Sequence, residues 1–139
     1  MPLCIFPEGV MNNNKYLMPF KKGAFETEAS VKPVAIKYDY DIVSPQTFLP
    51  LAFPIHLLQC TLWNSGTVNL THLPIFVPTE YLFKTHADKG KERWEIYAWA
   101  IRDIISKVGE LPLYECSTRH QMNYARKIIG MKTFDCPEE

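Results

Sequence analysis

The sequence has no excess of charge: Lys plus Arg number 15 and Asp plus Glu number 15 in 139 residues. A protein held to nucleic acid by bulk phosphate attraction normally shows a basic surplus, so that class is excluded as a partner. No C-x-x-C pair occurs, which removes zinc-ribbon and thioredoxin-type sites. The four cysteines (4, 60, 116 and 136) lie far apart. With no charged region ahead of the first apolar run, they are expected to be free thiols in a reducing compartment, and the sequon Asn69-Leu70-Thr71 to be unused. There is no apolar run of the ~20 residues a spanning helix needs, no internal repeat and no low-complexity tract. The most local absence is of charge: from Ile42 to Thr79, 38 residues contain no Asp, Glu, Lys or Arg.

What is present fits one globular domain, since hydrophobic residues make up 47% of the chain. Leu3-Cys4-Ile5-Phe6, ended by Pro7, reads as a short buried strand, and Gly9 with Asn12, Asn13 and Asn14 as a loop. Val31 to Tyr38 is β-branched and half apolar, a second strand. Leu49 to Trp63, with Pro50 and Pro54 inside it, reads equally as a buried core helix or as a segment lying in a membrane interface. Thr67 to Val77 is a third strand.

The strongest periodicity predicts a helix over 91–108. Trp94, Tyr97, Ala98, Ile101, Ile104, Ile105 and Val108 share one face, Glu92, Glu95, Arg102, Asp103 and Lys107 take the rest, and Gly109 stops it. Arg119 to Ile129 forms a last short helix before Gly130. The expected fold class is α/β, a partial mixed or parallel sheet flanked by helices.

Chemically informative residues concentrate near the start. Lys15, Lys21, Lys22, Lys32 and Lys37 face only Glu26 and Glu28 in the interval 15–37. Pro7-Glu8-Gly9 and the Lys-Lys-Gly turn would put a carboxylate and two ammonium groups at the mouth of a sheet, where ligands of α/β folds bind. Glu8 would accept a hydroxyl hydrogen bond, and Lys21 or Lys22 would neutralise a phosphate. On residue chemistry alone, the favoured reading is Lys21-Lys22 as a solvated turn and Glu8 as a surface acid.

Three blocks together, Phe6-Pro7-Glu8-Gly9, Phe20-Lys21-Lys22-Gly23-Ala24-Phe25 and Lys32-Pro33-Val34-Ala35-Ile36-Lys37-Tyr38, resemble the third and fourth motif blocks of the glycerolipid acyltransferases. The asparagine-rich insert and the Ala-Ile-Lys-Tyr ending resemble the endoplasmic-reticulum glycerol-3-phosphate and lysophospholipid acylating members. Weaker similarity runs through the 94–108 helix to Gln121–Gly130.

The resemblance implies acyl transfer from acyl-CoA, a co-substrate rather than a cofactor, to glycerol-3-phosphate or a lysophospholipid at a membrane surface of the endoplasmic reticulum. It implies that a His separated by four residues from an Asp is the general base on the acceptor hydroxyl. Glu8, Gly9, Lys21 and Lys22 would bind the acceptor, and Pro33 would shape the pocket. Residues 1–38 would hold the acceptor-binding blocks, 39–110 the remaining sheet and helices, and 111–139 a C-terminal tail.

The departures are specific. Thr61, Val77, Lys91 and Ala125 lie five residues after His56, His72, His86 and His120, so the sequence contains no His-x-x-x-x-Asp and no catalytic residue is assigned in it. The block that usually carries an Arg is also missing, and Val10 stands where the family commonly has Thr, with Met11 where many members have Arg. Only five residues precede Phe6. The expectation is therefore the C-terminal half of such an enzyme, inactive alone, or a non-catalytic remnant that binds a lipid phosphate or a partner chain.

Overall fold

In a computed structural model, the described residues are 3–10, 12, 15–42, 44, 53–63, 65–115 and 118–133. The regular elements are β1 (Val34–Tyr40), α1 (Phe53–Trp63), β2 (Gly66–His72), α2 (Glu80–Thr85), α3 (Arg93–Gly109) and α4 (Thr118–Ile128). Single 3-10 turns cover Lys22–Ala24 and Ala87–Lys89.

α3 organises the fold because its sequence is the most strictly amphipathic. Its N-terminus closes in a capping box between Glu92 and Glu95, which satisfies amide groups that the first turn leaves open. Its inner face buries Ile96, Tyr97, Ala98, Ala100, Ile101, Arg102, Ile105 and Gly109. Tyr97 is 0% and Phe25 is 2% exposed. Their rings meet edge to face at 5.2 Å, Phe20 stacks on Phe25 at 5.9 Å, and Phe76 lies 5.7 Å from Tyr97. Such aromatic pairs add about 1 kcal/mol each to their area burial. The Tyr97 hydroxyl donates to the Ala29 carbonyl at 2.9 Å, so its one polar atom is not stranded.

β1 and β2 pair antiparallel, with Val34 opposite His72 and Tyr40 opposite Gly66. The ladder continues irregularly through Leu73 N–H to the Pro33 carbonyl and a Val31–Phe76 bridge. A Cβ at Gly66 would collide with the Asp39 carbonyl, so the first residue of β2 has to be glycine. Ala35 carries β1 into the core beside α3. Arg93 pins the periphery, bridging Glu28 at 2.8 Å and Glu80 at 2.7 Å while its guanidinium lies 3.9 Å from the Phe83 ring centre. Those bonds hold both carboxyls below the usual glutamate range.

Several expectations need correction. Leu3–Phe6 is neither strand nor buried: Leu3 is 82% and Phe6 73% exposed, and no described strand lies alongside to receive them. The described sheet is two-stranded and antiparallel, the one parallel contact being an isolated Leu17–Leu113 bridge. The third strand stops at His72 rather than Val77, and the Glu80–Thr85 helix was not anticipated. Gly109 does not stop α3. It is the last helical residue, packed near Ala35 and Leu111, and Glu110 takes the left-handed turn with φ 53°. Arg102 leaves the solvent face for the interior, and Val108 leaves the core for the surface.

The apolar 49–63 segment is helical from Phe53, and residues 49–52 lie outside the described ones. It is no core helix: Ile55, Leu57, Leu58, Leu62 and Trp63 are all exposed, and of its described side chains only His56 is buried. Among the described residues no helix is long and apolar enough to cross a membrane.

Candidate functional site

The Glu8 loop is held from both ends of the neighbouring block. Gly9 N–H donates to the Phe6 carbonyl at 3.1 Å, closing a tight turn, and Lys21 N–H donates to the Pro7 carbonyl at 2.8 Å. Gly9 sits at φ +69°, a conformation that favours glycine. The Lys21 side chain lies directly over it, for a Cβ added at Gly9 would fall 2.9–3.0 Å from Cδ, Cε and Nζ of Lys21. Glycine is therefore needed twice at this position, for the turn and for the room the lysine occupies.

Glu8 is half-buried, and its carboxylate is anchored through one oxygen. Oε2 accepts from Asn12 Nδ2 at 2.6 Å and from the Met18 N–H at 3.0 Å. Oε1 has no hydrogen bond among the described residues. Asn12 is itself buried and reaches the Tyr16 carbonyl at 3.3 Å. Burial pushes the Glu8 pKa above the usual glutamate range, against the opposing pull of the Met18 amide, the Arg102 charge and the Asn12 amide.

Arg102, 7% exposed, supplies that charge from α3. Its guanidinium donates to the carbonyls of Leu17 and Tyr114 at 2.9 Å each and to Glu115 at 2.6 Å, which ties the loop, α3 and the 111–115 segment together.

Of the four residues singled out in sequence, three converge: Glu8, Gly9 and Lys21. Lys22 pairs instead with Glu26 at 3.2 Å and Glu92 at 3.9 Å on the 3-10 turn. Pro33 is buried at the foot of β1. An open hollow of about 810 Å³ lies elsewhere, against the β1–β2 pair at Lys37, Tyr38, Asp39 and Gly66, and none of the four lines it. No group of His, Cys, Asp and Glu among the described residues is arranged to hold a metal.

Asn12 and Arg102 were missed by sequence reasoning. The first looked like loop polarity. The second was legible in principle, because 102 is four residues past Ala98 and three before Ile105, on the buried face.

An acyltransferase family model matches residues 1–37, the stretch that contains this loop. Glycerol-3-phosphate acyltransferase 3 of Xenopus laevis is 56% identical over 78 residues, covering 50% of this chain and 18% of the relative. Its namesake in Gallus gallus is 31% identical over 110 residues, 79% of this chain and 19% of the relative. A lysophospholipid acyltransferase of Arabidopsis thaliana is 29% identical over 129 residues, 92% of this chain and 30% of the relative. The chain belongs to the glycerolipid acyltransferase family.

It spans less than a third of each of these relatives. No solved structure matches it. Within the matched stretch, the Glu8–Asn12–Arg102 network ties the loop to α3, and the match runs on through the first four residues of β1.

Proposed function

We propose that this chain forms the acceptor-binding part of an acyl-CoA-dependent acyltransferase acting on glycerol-3-phosphate or a lysophospholipid in phospholipid synthesis. The observation that carries the reading is the Glu8 carboxylate, fixed through Oε2 and with Oε1 unbonded among the described residues, next to a left-handed Gly9 overlaid by Lys21. Oε1 accepts the hydroxyl of a glycerol unit, and the Lys21 ammonium neutralises its phosphate. Lys22, engaged by Glu26 and Glu92, stands as a secondary contact that would have to exchange partners.

Proton abstraction from the acceptor needs a general base. The sequence contains no His-x-x-x-x-Asp, so the chain alone binds acceptor without turning it over. The exposed apolar side chains of α1 lie against a bilayer surface of the endoplasmic reticulum, where the acceptor lipids and long-chain acyl groups reside.

Titration of the isotope-labelled chain with glycerol-3-phosphate, and separately with lysophosphatidic acid, tests this by NMR. Amide shifts should centre on Gly9 and Lys21. Glu8→Gln should weaken binding about tenfold, the loss of one charge-assisted hydrogen bond, and Gly9→Ala should weaken it by displacing Lys21. Shifts that ignore Glu8→Gln and Lys21→Ala, or no binding of either ligand, would overturn the assignment. Flotation of the chain with phosphatidylcholine vesicles checks the membrane surface, and a Leu58→Ser, Leu62→Ser variant should float less.

A further inference from the structure

α1 carries a pair of reactive groups that the acceptor site does not use. His56 and Cys60 are four residues apart and so share one helix face. His56 is 4% exposed, and its Nε2 stands 3.5 Å from the Cys60 Sγ. Cys60 is half-exposed. A nucleophile at the surface and a base behind it is the arrangement an activated thiol requires.

The surroundings select what this thiol meets. Leu57 and Trp63, three residues before and after Cys60, are 54% and 58% exposed. No charged residue occurs from Ile42 to Thr79, so the helix offers no cationic side chain to the phosphates of a coenzyme, and its exposed Leu57, Leu58, Leu62 and Trp63 offer apolar surface to a chain.

We propose that Cys60, with His56 as its base, is an acyl-accepting site for long-chain acyl thioesters. The Sγ–H proton passes to His56 Nε2 as Sγ attacks the thioester carbonyl, which requires the tautomer with hydrogen on Nδ1. The tetrahedral adduct then breaks its carbon–sulfur bond to the coenzyme, whose thiolate takes the proton back from Nε2. One thioester is exchanged for another, with no oxidant or reductant, leaving S-acyl-Cys60 and the free coenzyme thiol. The attached chain then lies along Leu57 and Trp63 and adds its own apolar surface to that of α1. This site is separate from Glu8 and stands whether or not the loop binds a phosphate ester.

The test incubates the whole chain with octanoyl-CoA and with acetyl-CoA and follows each cysteine by peptide mass spectrometry, with hydroxylamine release to identify thioesters. Cys60 should be acylated at least roughly tenfold faster than the more exposed Cys4, and octanoyl should be preferred to acetyl. Guanidinium-unfolded chain should lose both preferences. His56→Gln should slow Cys60 by about 10²-fold while leaving Cys4 unchanged. Equal rates at Cys4 and Cys60 in the folded parent would overturn the proposal, as would a folded His56→Gln within twofold of the parent. If His56→Gln does not fold by circular dichroism, the parent ratios decide alone.

Discussion

Two regions of this chain invert the simple rule that apolar segments go inside. Residues 42–79 contain no charge, yet β2 is exposed along its whole length and α1 nearly so. The Glu8 loop and α3 are studded with Lys, Arg and Glu, yet they build the core, bury an arginine and an asparagine, and half-bury a carboxylate. The difference is periodicity rather than mean hydropathy. α3 places its apolar residues on one stripe, so one orientation buries nearly all of them. α1 distributes its apolar residues around the whole helix, and no orientation distinguishes an inside.

The first way to break this contrast is a pair of truncations. Phe25→Ala removes a ring that stacks on Phe20 and meets Tyr97, and should cost about 3–5 kcal/mol in urea unfolding. Leu58→Ala, at 57% exposure, should change stability by less than about 0.5 kcal/mol. Comparable losses at the two positions would mean that α1 belongs to the core after all.

Next in size is the buried arginine. Arg102→Met keeps the volume and deletes the donors that serve Leu17, Tyr114 and Glu115. It also removes the cation that offsets the Glu8 charge. A loss of about 3 kcal/mol is expected, because two carbonyls lose a charged donor and the half-buried Glu8 carboxylate loses its nearby cation. A neutral result would reduce the network to decoration.

The same carboxylate gives the polar interior a pH signature. Its folded pKa is raised by burial, so the Glu8 contribution to stability is fully present below the unfolded value and is lost as pH rises through the folded one. Glu28 and Glu80, lowered by Arg93, have the opposite sign and lose their contribution as pH falls. Stability of the parent measured against Glu8→Gln, which can still accept from Asn12 and Met18, isolates the first effect. The parent should lose ground to the variant as pH rises from about 4 towards 7. A difference that grows in the parent's favour would show the carboxylate to be stabilised by its partners more than it is penalised by burial.

Much of this was legible from the residues, unevenly. The α3 stripe was, because seven apolar positions at helical spacing leave one solution, and the strand read at Val31 to Tyr38 was, though displaced to Val34–Tyr40, because β-branched and aromatic residues cluster there. The motif blocks brought Glu8, Gly9 and Lys21 to notice, and the structure brings those three together. Whether they bind an acceptor is for the titration to decide. Lys22 lies apart from those three because adjacency in sequence says nothing of direction, and a 3-10 turn sends it towards Glu26 and Glu92. Leu3–Phe6 was misjudged because an apolar run becomes a strand only with a partner strand beside it. Asn12 and Arg102 were hidden because burial of a polar group depends on the partners the fold supplies, here Glu8 and Tyr16 four residues from Asn12 and Leu17 eighty-five residues from Arg102.

The smallest predicted effect sharpens the comparison from the core side. Glycine ends many helices because the left-handed residue after the last turn carries a steric penalty for any Cβ. α3 departs from this: Gly109 is spent inside the helix and Glu110 occupies the left-handed position at φ 53°, ψ 37°. Two contacts hold it there, the Ser106 hydroxyl on the Leu111 carbonyl at 2.6 Å and the Leu111 N–H on the Ser106 carbonyl at 3.0 Å. Glu110 also meets Lys37 at 3.2 Å, but both side chains are open to water and such a pair contributes little. Glu110→Gly should therefore stabilise the protein, by up to about 1 kcal/mol, the relieved strain being partly offset by the greater freedom of glycine in the unfolded chain. A clear destabilisation would mean that the Lys37 contact, bridging β1 to the end of α3, matters more than the strain it accompanies.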